Sequence, residues 1–154
     1  MPNYRHNNGD RKLIIQYISP KELIEDTKIN HLNLRSSMMD QASLFSRYVA
    51  LSYDAQVQES NAKMVYETAQ AKADIDIRRK AAAENKRITE KEIERFVTVD
   101  ESVIKSLDEY NEAKAVAKLA TNALSALSQK KDMLVSVAND ERAEKRSIGT
   151  TVTS

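Results

Sequence analysis

The chain has 154 residues, with 24 basic and 23 acidic side chains, a net charge of +1, no cysteine and no tryptophan. Lacking cysteine, it can hold neither a disulfide scaffold nor thiolate chemistry, and no apolar run approaches the roughly 20 residues that cross a bilayer. Aromatic residues are 5% of the chain against 31% charged, and much of the apolar share is alanine, which leaves little material for a large core. Oligomerisation is the expected source of further burial.

The only glycines are Gly9 and Gly149, and the only prolines are Pro2 and Pro20. From Lys21 to Ile148 the chain therefore lacks the residues that make tight turns and break helices. A stretch rich in Ala, Lys, Glu, Gln and Leu and free of such breakers is expected to be helical throughout. The spacing predicts an all-α fold: a long antiparallel helical hairpin with a short connecting helix, an extended N-terminal arm, and association into oligomers.

Residues 1–20 read as the arm. Met1 to Gly9 is polar and does not resemble a signal peptide, so a cytoplasmic protein is expected. Leu13 to Ile18 is a short β-prone or docking strip, and Arg5, Arg11 and Lys12 make the arm basic. Ser19-Pro20-Lys21-Glu22 opens a short helix, with Ser as N-cap and Pro at the first helical position. That helix is expected to end near Thr27–His31, and a single helical domain is expected over residues 21–148.

The first long helix is expected from about Leu32 to Arg87. Its apolar or small residues alternate by three and four through Met38, Ala42, Phe45, Tyr48 or Val49, Ser52, Ala55, Ala62, Tyr66, Ala69, Ala73 and Ile77, as in a coiled-coil seam that Glu59 interrupts. Around Ile88–Asp100 the pattern breaks. Thr89 and Glu92 match a capping box, and Asp100 competes with Thr98 as a second cap. A short helix is expected between them, with Ile93, Phe96 and Val97 buried. The second long helix then runs from about Asp100 to Arg146, with Leu107, Tyr110, Leu124, Leu127 and Leu134 on its seam. Residues 149–154 are expected to be a flexible tail.

The two histidines are far apart, glycine-rich phosphate loops are missing, and the carboxylates of Glu90 to Glu94 point in different directions along a helix. No enzyme activity, metal or cofactor is expected. Charge is unevenly placed: residues 22–77 have four more acids than bases, whereas residues 78–97 have three more bases than acids. Arg78, Arg79, Lys80, Lys86, Arg87, Lys91 and Arg95 gather near one end of the expected hairpin. This basic tip suits nucleic-acid phosphate, particularly if repeated around an oligomer. Tyr53, Tyr66 and Tyr110 offer faces for base stacking or for the core.

Asp26-Thr27-Lys28, the later Phe45-Ser46-Arg47-Tyr48, the shaft Ala69-Gln70-Ala71-Lys72-Ala73 and the connector Thr89 to Ile93 resemble a known pattern. It is that of the phage recombination mediator family typified by UvsY. Ile93 to Val97 with Asp100 resembles the family's Val-x-x-Asp corner, and Met133 fits its final helix. The resemblance covers about residues 24–146. It implies a non-enzymatic protein of the host cell cytoplasm that binds single-stranded DNA as a ring-shaped homo-oligomer. Such mediators help displace single-strand-binding protein and load a RecA-like recombinase. The family's Lys-Ala-Arg element implies a DNA contact at Lys72. Here the third residue is Asp74, which moves the expected basic contact to Arg78, Arg79 and Lys80. The alternative is a structural or assembly coiled-coil protein, such as a phage scaffold or adaptor, that does not bind DNA.

Overall fold

A computed structural model describes residues 17–151, with side chains through residue 148. Helix accounts for 89% of the described residues, and none of them lies in a strand. The order is α1 (Pro20–Thr27), a 3-10 turn (His31–Asn33), α2 (Leu34–Ala83), α3 (Glu90–Thr98) and α4 (Glu101–Thr151). The expected docking strip from Leu13 lies outside the described residues except for Tyr17, which is exposed, and Ile18, which is buried. Val152 to Ser154 of the expected tail also lie outside them.

The helix ends follow local chemistry. Ser19 Oγ accepts the Glu22 amide at 3.3 Å, with Pro20 at the first helical position. Asn30 caps the 3-10 turn, and Asn33 Oδ1 accepts the Ser36 amide at 3.0 Å to open α2. Thr89 and Glu92 form the expected capping box around α3. Asp100 wins over Thr98 as the cap of α4, accepting the Ser102 amide at 2.9 Å and the Val103 amide at 3.2 Å.

Two boundaries differ from expectation. Helix α2 stops at Ala83, four residues before Arg87, because Asn85 adopts the left-handed region at φ 53°. The Lys86 amide then bonds the Ala81 carbonyl at 2.9 Å and the Asn85 amide bonds Ala82 at 3.2 Å, the pattern of a Schellman stop. At the other end, α4 continues over Ser147 to Thr151 and through Gly149. One glycine costs only about 1 kcal/mol in a helix, which does not outweigh propagation of an existing ladder.

The chain divides into two compact units. One, the α1 unit, comprises Tyr17–Ala55 and the chain from Val116 onward. Its core holds Tyr48, Leu127 and Leu134, each at most 1% exposed, among small residues such as Ala55, Ala120 and Ala123. Two long polar side chains are buried with them: Gln41 donates to the Leu127 carbonyl at 2.7 Å, and Lys130 Nζ donates to the Asp26 carbonyl at 2.7 Å.

The other, the α3 unit, contains Gln56–Ala115. Its core is mostly small: Ala62, Ala73, Ala113 and Ser106, with Ile93 and Val103 as the larger buried members. Tyr66 and Tyr110 stack with ring centroids 6.1 Å apart and planes 13° from parallel. Gln70 Nε2 donates to the Tyr66 hydroxyl at 2.9 Å.

The expected seam residues fall into three groups. Tyr48, Leu127 and Leu134 are buried, and Tyr66, Leu107, Tyr110 and Leu124 are half-buried. Met38 and Phe45 are 41% and 40% exposed; Leu34, Ser37 and Gln41 fill the core at those turns. On α3, Ile93 is buried and Val97 half-buried, but Phe96 is 53% exposed instead of buried.

Candidate nucleic-acid interface

The expected DNA contacts all lie in the α3 unit, on the last turns of α2, the connection and α3. Lys72 and Arg79 are one heptad apart and so share a face of α2. Lys86 and Arg87 sit in the connection that Asn85 creates, not on a helix. Lys91 and Arg95 follow four residues apart on one face of α3.

Arg78 differs from the rest. Its guanidinium bonds Asp74 through Nε at 2.9 Å and Nη2 at 3.3 Å, and Glu90 through Nη1 at 2.9 Å and Nη2 at 2.6 Å. These bonds, Glu90's first, hold Arg78 even further above its ordinary range, and they depress the Glu90 carboxyl. Arg78 thus clamps the end of α2 to the start of α3. Asp74 is half of this clamp.

Arg79 pairs with Asp76 at 3.6 Å, and Lys86 with Glu84 at 2.7 Å. All these pairs are at the surface, where they hold a cation only weakly. Lys72, Lys80, Arg87, Lys91 and Arg95 are exposed. Beside the stronger hydrogen bonds from Ser102 and Thr89, Lys80 acts on the Asp100 carboxylate and Arg95 on that of Glu92, lowering both. A groove of about 480 Å³ between α2 and α3 is unsuited to phosphate, because Asp74, Glu90 and Glu94 line it with Ile75, Ile93 and Val97.

The tyrosines divide as well. Tyr66 and Tyr110 are committed to each other, and Lys114 Nζ lies 5.9 Å from the Tyr110 centroid. Tyr53 is 67% exposed and belongs to the α1 unit.

Two of the segments that carry the family resemblance meet inside the α1 unit. The Tyr48 hydroxyl donates to Asp26 Oδ2 at 2.9 Å, and Arg47 lies 3.6 Å from the same carboxylate and 3.4 Å from Glu22. Burial first, and then the bond to Asp26, pushes the Tyr48 phenol up to about 12. In this chain the aromatic-Ser-basic-aromatic motif holds α1 against α2. Its Arg47 is engaged with two carboxylates.

The described residues contain no cluster of His, Cys, Asp and Glu able to hold a metal ion. Among them, no helix is long and apolar enough to cross a membrane. Comparison with family models, curated proteins and solved structures returns no match.

Proposed function

We propose that this chain is a non-enzymatic single-stranded-DNA-binding recombination mediator. In this reading its α2 and α4 form an antiparallel hairpin, homo-oligomers repeat the basic surface of the α3 unit, and the assembly helps exchange single-strand-binding protein for a RecA-like recombinase. The observation that carries it is the group of exposed cations gathered on one unit, Lys72, Lys80, Arg87, Lys91 and Arg95. Pairing of Tyr66 with Tyr110, and of Gln41 with Leu127, supports the antiparallel course of α2 and α4. The assembly-protein reading draws on a different fact: Arg78, Arg79 and Lys86 are already matched to acids.

The deciding experiment is fluorescence anisotropy of a labelled single-stranded oligonucleotide. Binding is expected at about 50 mM salt and should weaken by orders of magnitude at about 200 mM, as phosphate neutralisation releases counterions. Combined Lys80→Ala, Arg87→Ala and Lys91→Ala should weaken it and flatten the salt slope by about one for each cation removed. Absence of binding at the lower salt would leave the assembly protein.

A further inference from the structure

The α3 unit holds three aromatic side chains among its described residues, Tyr66, Phe96 and Tyr110. The two tyrosines are half-buried and stacked on each other, so neither has both faces free. Phe96 differs from them. It neighbours the half-buried Val97 on α3, yet it is 53% exposed. Val99, three residues on and so on the same face, is 67% exposed. A phenylalanine ring has no polar tip for water to solvate, unlike tyrosine or tryptophan. The other open rings, Tyr17, Phe45 and Tyr53, belong to the α1 unit.

The surroundings of Phe96 are charged, and the two signs are held differently. Arg95 precedes the ring in sequence and lies one turn from Lys91, and both cations are exposed. Asp100, one turn beyond Phe96, is held low by bonds from Ser102 and Val103 and further by Lys80, which brings that lysine to the same end of α3. The acids are tied to donors of the chain itself. Glu92, one turn before Phe96, accepts from the Thr89 amide at 2.9 Å and the Thr89 hydroxyl at 2.7 Å. Asp100 accepts from the Ser102 hydroxyl at 2.6 Å, and Glu90 from Arg78 at 2.6 Å. Glu94 is two residues from Phe96 and so turns to the opposite side of the helix, where it lines the groove against α2.

We propose that Phe96, extended by Val99, is the platform on which a base of bound single-stranded DNA stacks, while Lys80, Lys91 and Arg95 hold the neighbouring phosphates. This rests on the DNA-binding reading and adds what cations alone do not supply. Cations attract any polyanion, whereas a stacking face takes only a base that has left its duplex. The platform therefore confers the preference for single strands.

The chain has no tryptophan, so Phe96→Trp puts a single fluorescent reporter at the site. Its emission should be quenched by oligothymidylate and not by an abasic strand of equal length, which carries the phosphates without the bases. Phe96→Leu keeps an apolar side chain at a position outside the core. It should weaken oligothymidylate binding about five- to a hundredfold, the size of one base stack. The salt slope should stay the same, because no cation is removed. Binding of the abasic strand and of a duplex should match that of the unmodified protein. Should Phe96→Leu lose its helical dichroism, the Phe96→Trp emission decides. Equal oligothymidylate affinity with and without the ring, an equal loss on the abasic strand, or a Phe96→Trp emission indifferent to bases would overturn the proposal. Salt-sensitive binding that ignores position 96 would overturn the stacking and leave the DNA reading standing. If the unmodified protein binds no strand at about 50 mM salt, both fall.

Discussion

The α1 unit and the α3 unit draw on the same two long helices and solve different problems. The α1 unit buries large side chains, Tyr48, Leu127 and Leu134, and ties α1 down with Lys130 and Tyr48, both directed at Asp26. The α3 unit buries mainly alanine and gains definition from caps, a tyrosine stack and the Arg78 clamp. Apolar volume specifies one unit, whereas polar geometry at helix ends specifies the other. The second arrangement leaves outer faces free to carry charge.

The sharpest way to break this comparison is Leu127→Ala. A fully buried leucine should cost about 2–5 kcal/mol in denaturant unfolding, more than any single truncation in the α3 unit. Ala113→Leu asks the converse question, since Ala113 is fully buried in the alanine core. Overpacking there should cost about 1–3 kcal/mol. If it proves neutral, the α3 unit is looser than its burial implies. Lys130→Met keeps the length of the side chain but removes the donor to the Asp26 carbonyl, at roughly 1–3 kcal/mol. Hydrogen exchange should then rise in α1 and not in α3.

Tyr48 supplies a pH test confined to the α1 unit. Its folded phenol sits near 12 against an ordinary value of 10.0, so the folded state holds the proton more tightly. The associated stability, roughly 2–3 kcal/mol, is fully present below pH 10.0 and is lost as pH rises through about 12. Tyr48→Phe should cost about 1 kcal/mol at neutral pH and remove this alkaline loss. In the α3 unit the sign reverses. Bonds from Thr89 depress Glu92, and bonds from Ser102 and Val103 depress Asp100. Their contribution is present above the ordinary carboxylate range and is lost as pH falls through the depressed values. The smallest expected effect is Glu90→Gln, which removes one of the two carboxylate charges on Arg78 and leaves its pair with Asp74. Oligonucleotide affinity should rise by a small factor with a steeper salt slope; a fall would show that the clamp positions the other cations.

Much of the fold was legible because helix ends depend on neighbours in sequence. Ser19-Pro20, the Thr89–Glu92 box and the Asp100 cap each satisfy amides within three residues of themselves. The seam from Tyr48 through Ala55, Ala62 and Ala73 was legible for the same kind of reason, since small residues recur at one helical period. The end of α2 was missed although its signal was there: asparagine tolerates the left-handed conformation that usually calls for glycine. In the candidate interface, residue types marked the basic group. They did not reveal that Arg78 reaches across twelve residues to Glu90.

What the sequence determined by itself was the helical character, because removal of every glycine and proline between Lys21 and Ile148 leaves the backbone little else to do. What tertiary structure decided was which face each helix turns inward. Met38 and Phe45 match the seam period as well as any core residue, yet Gln41 lies in the core and they do not. A period specifies a stripe along a helix; the partner that covers it is settled by volumes and hydrogen bonds from residues far away in the chain. The bond from Gln41 to the Leu127 carbonyl is such a contact.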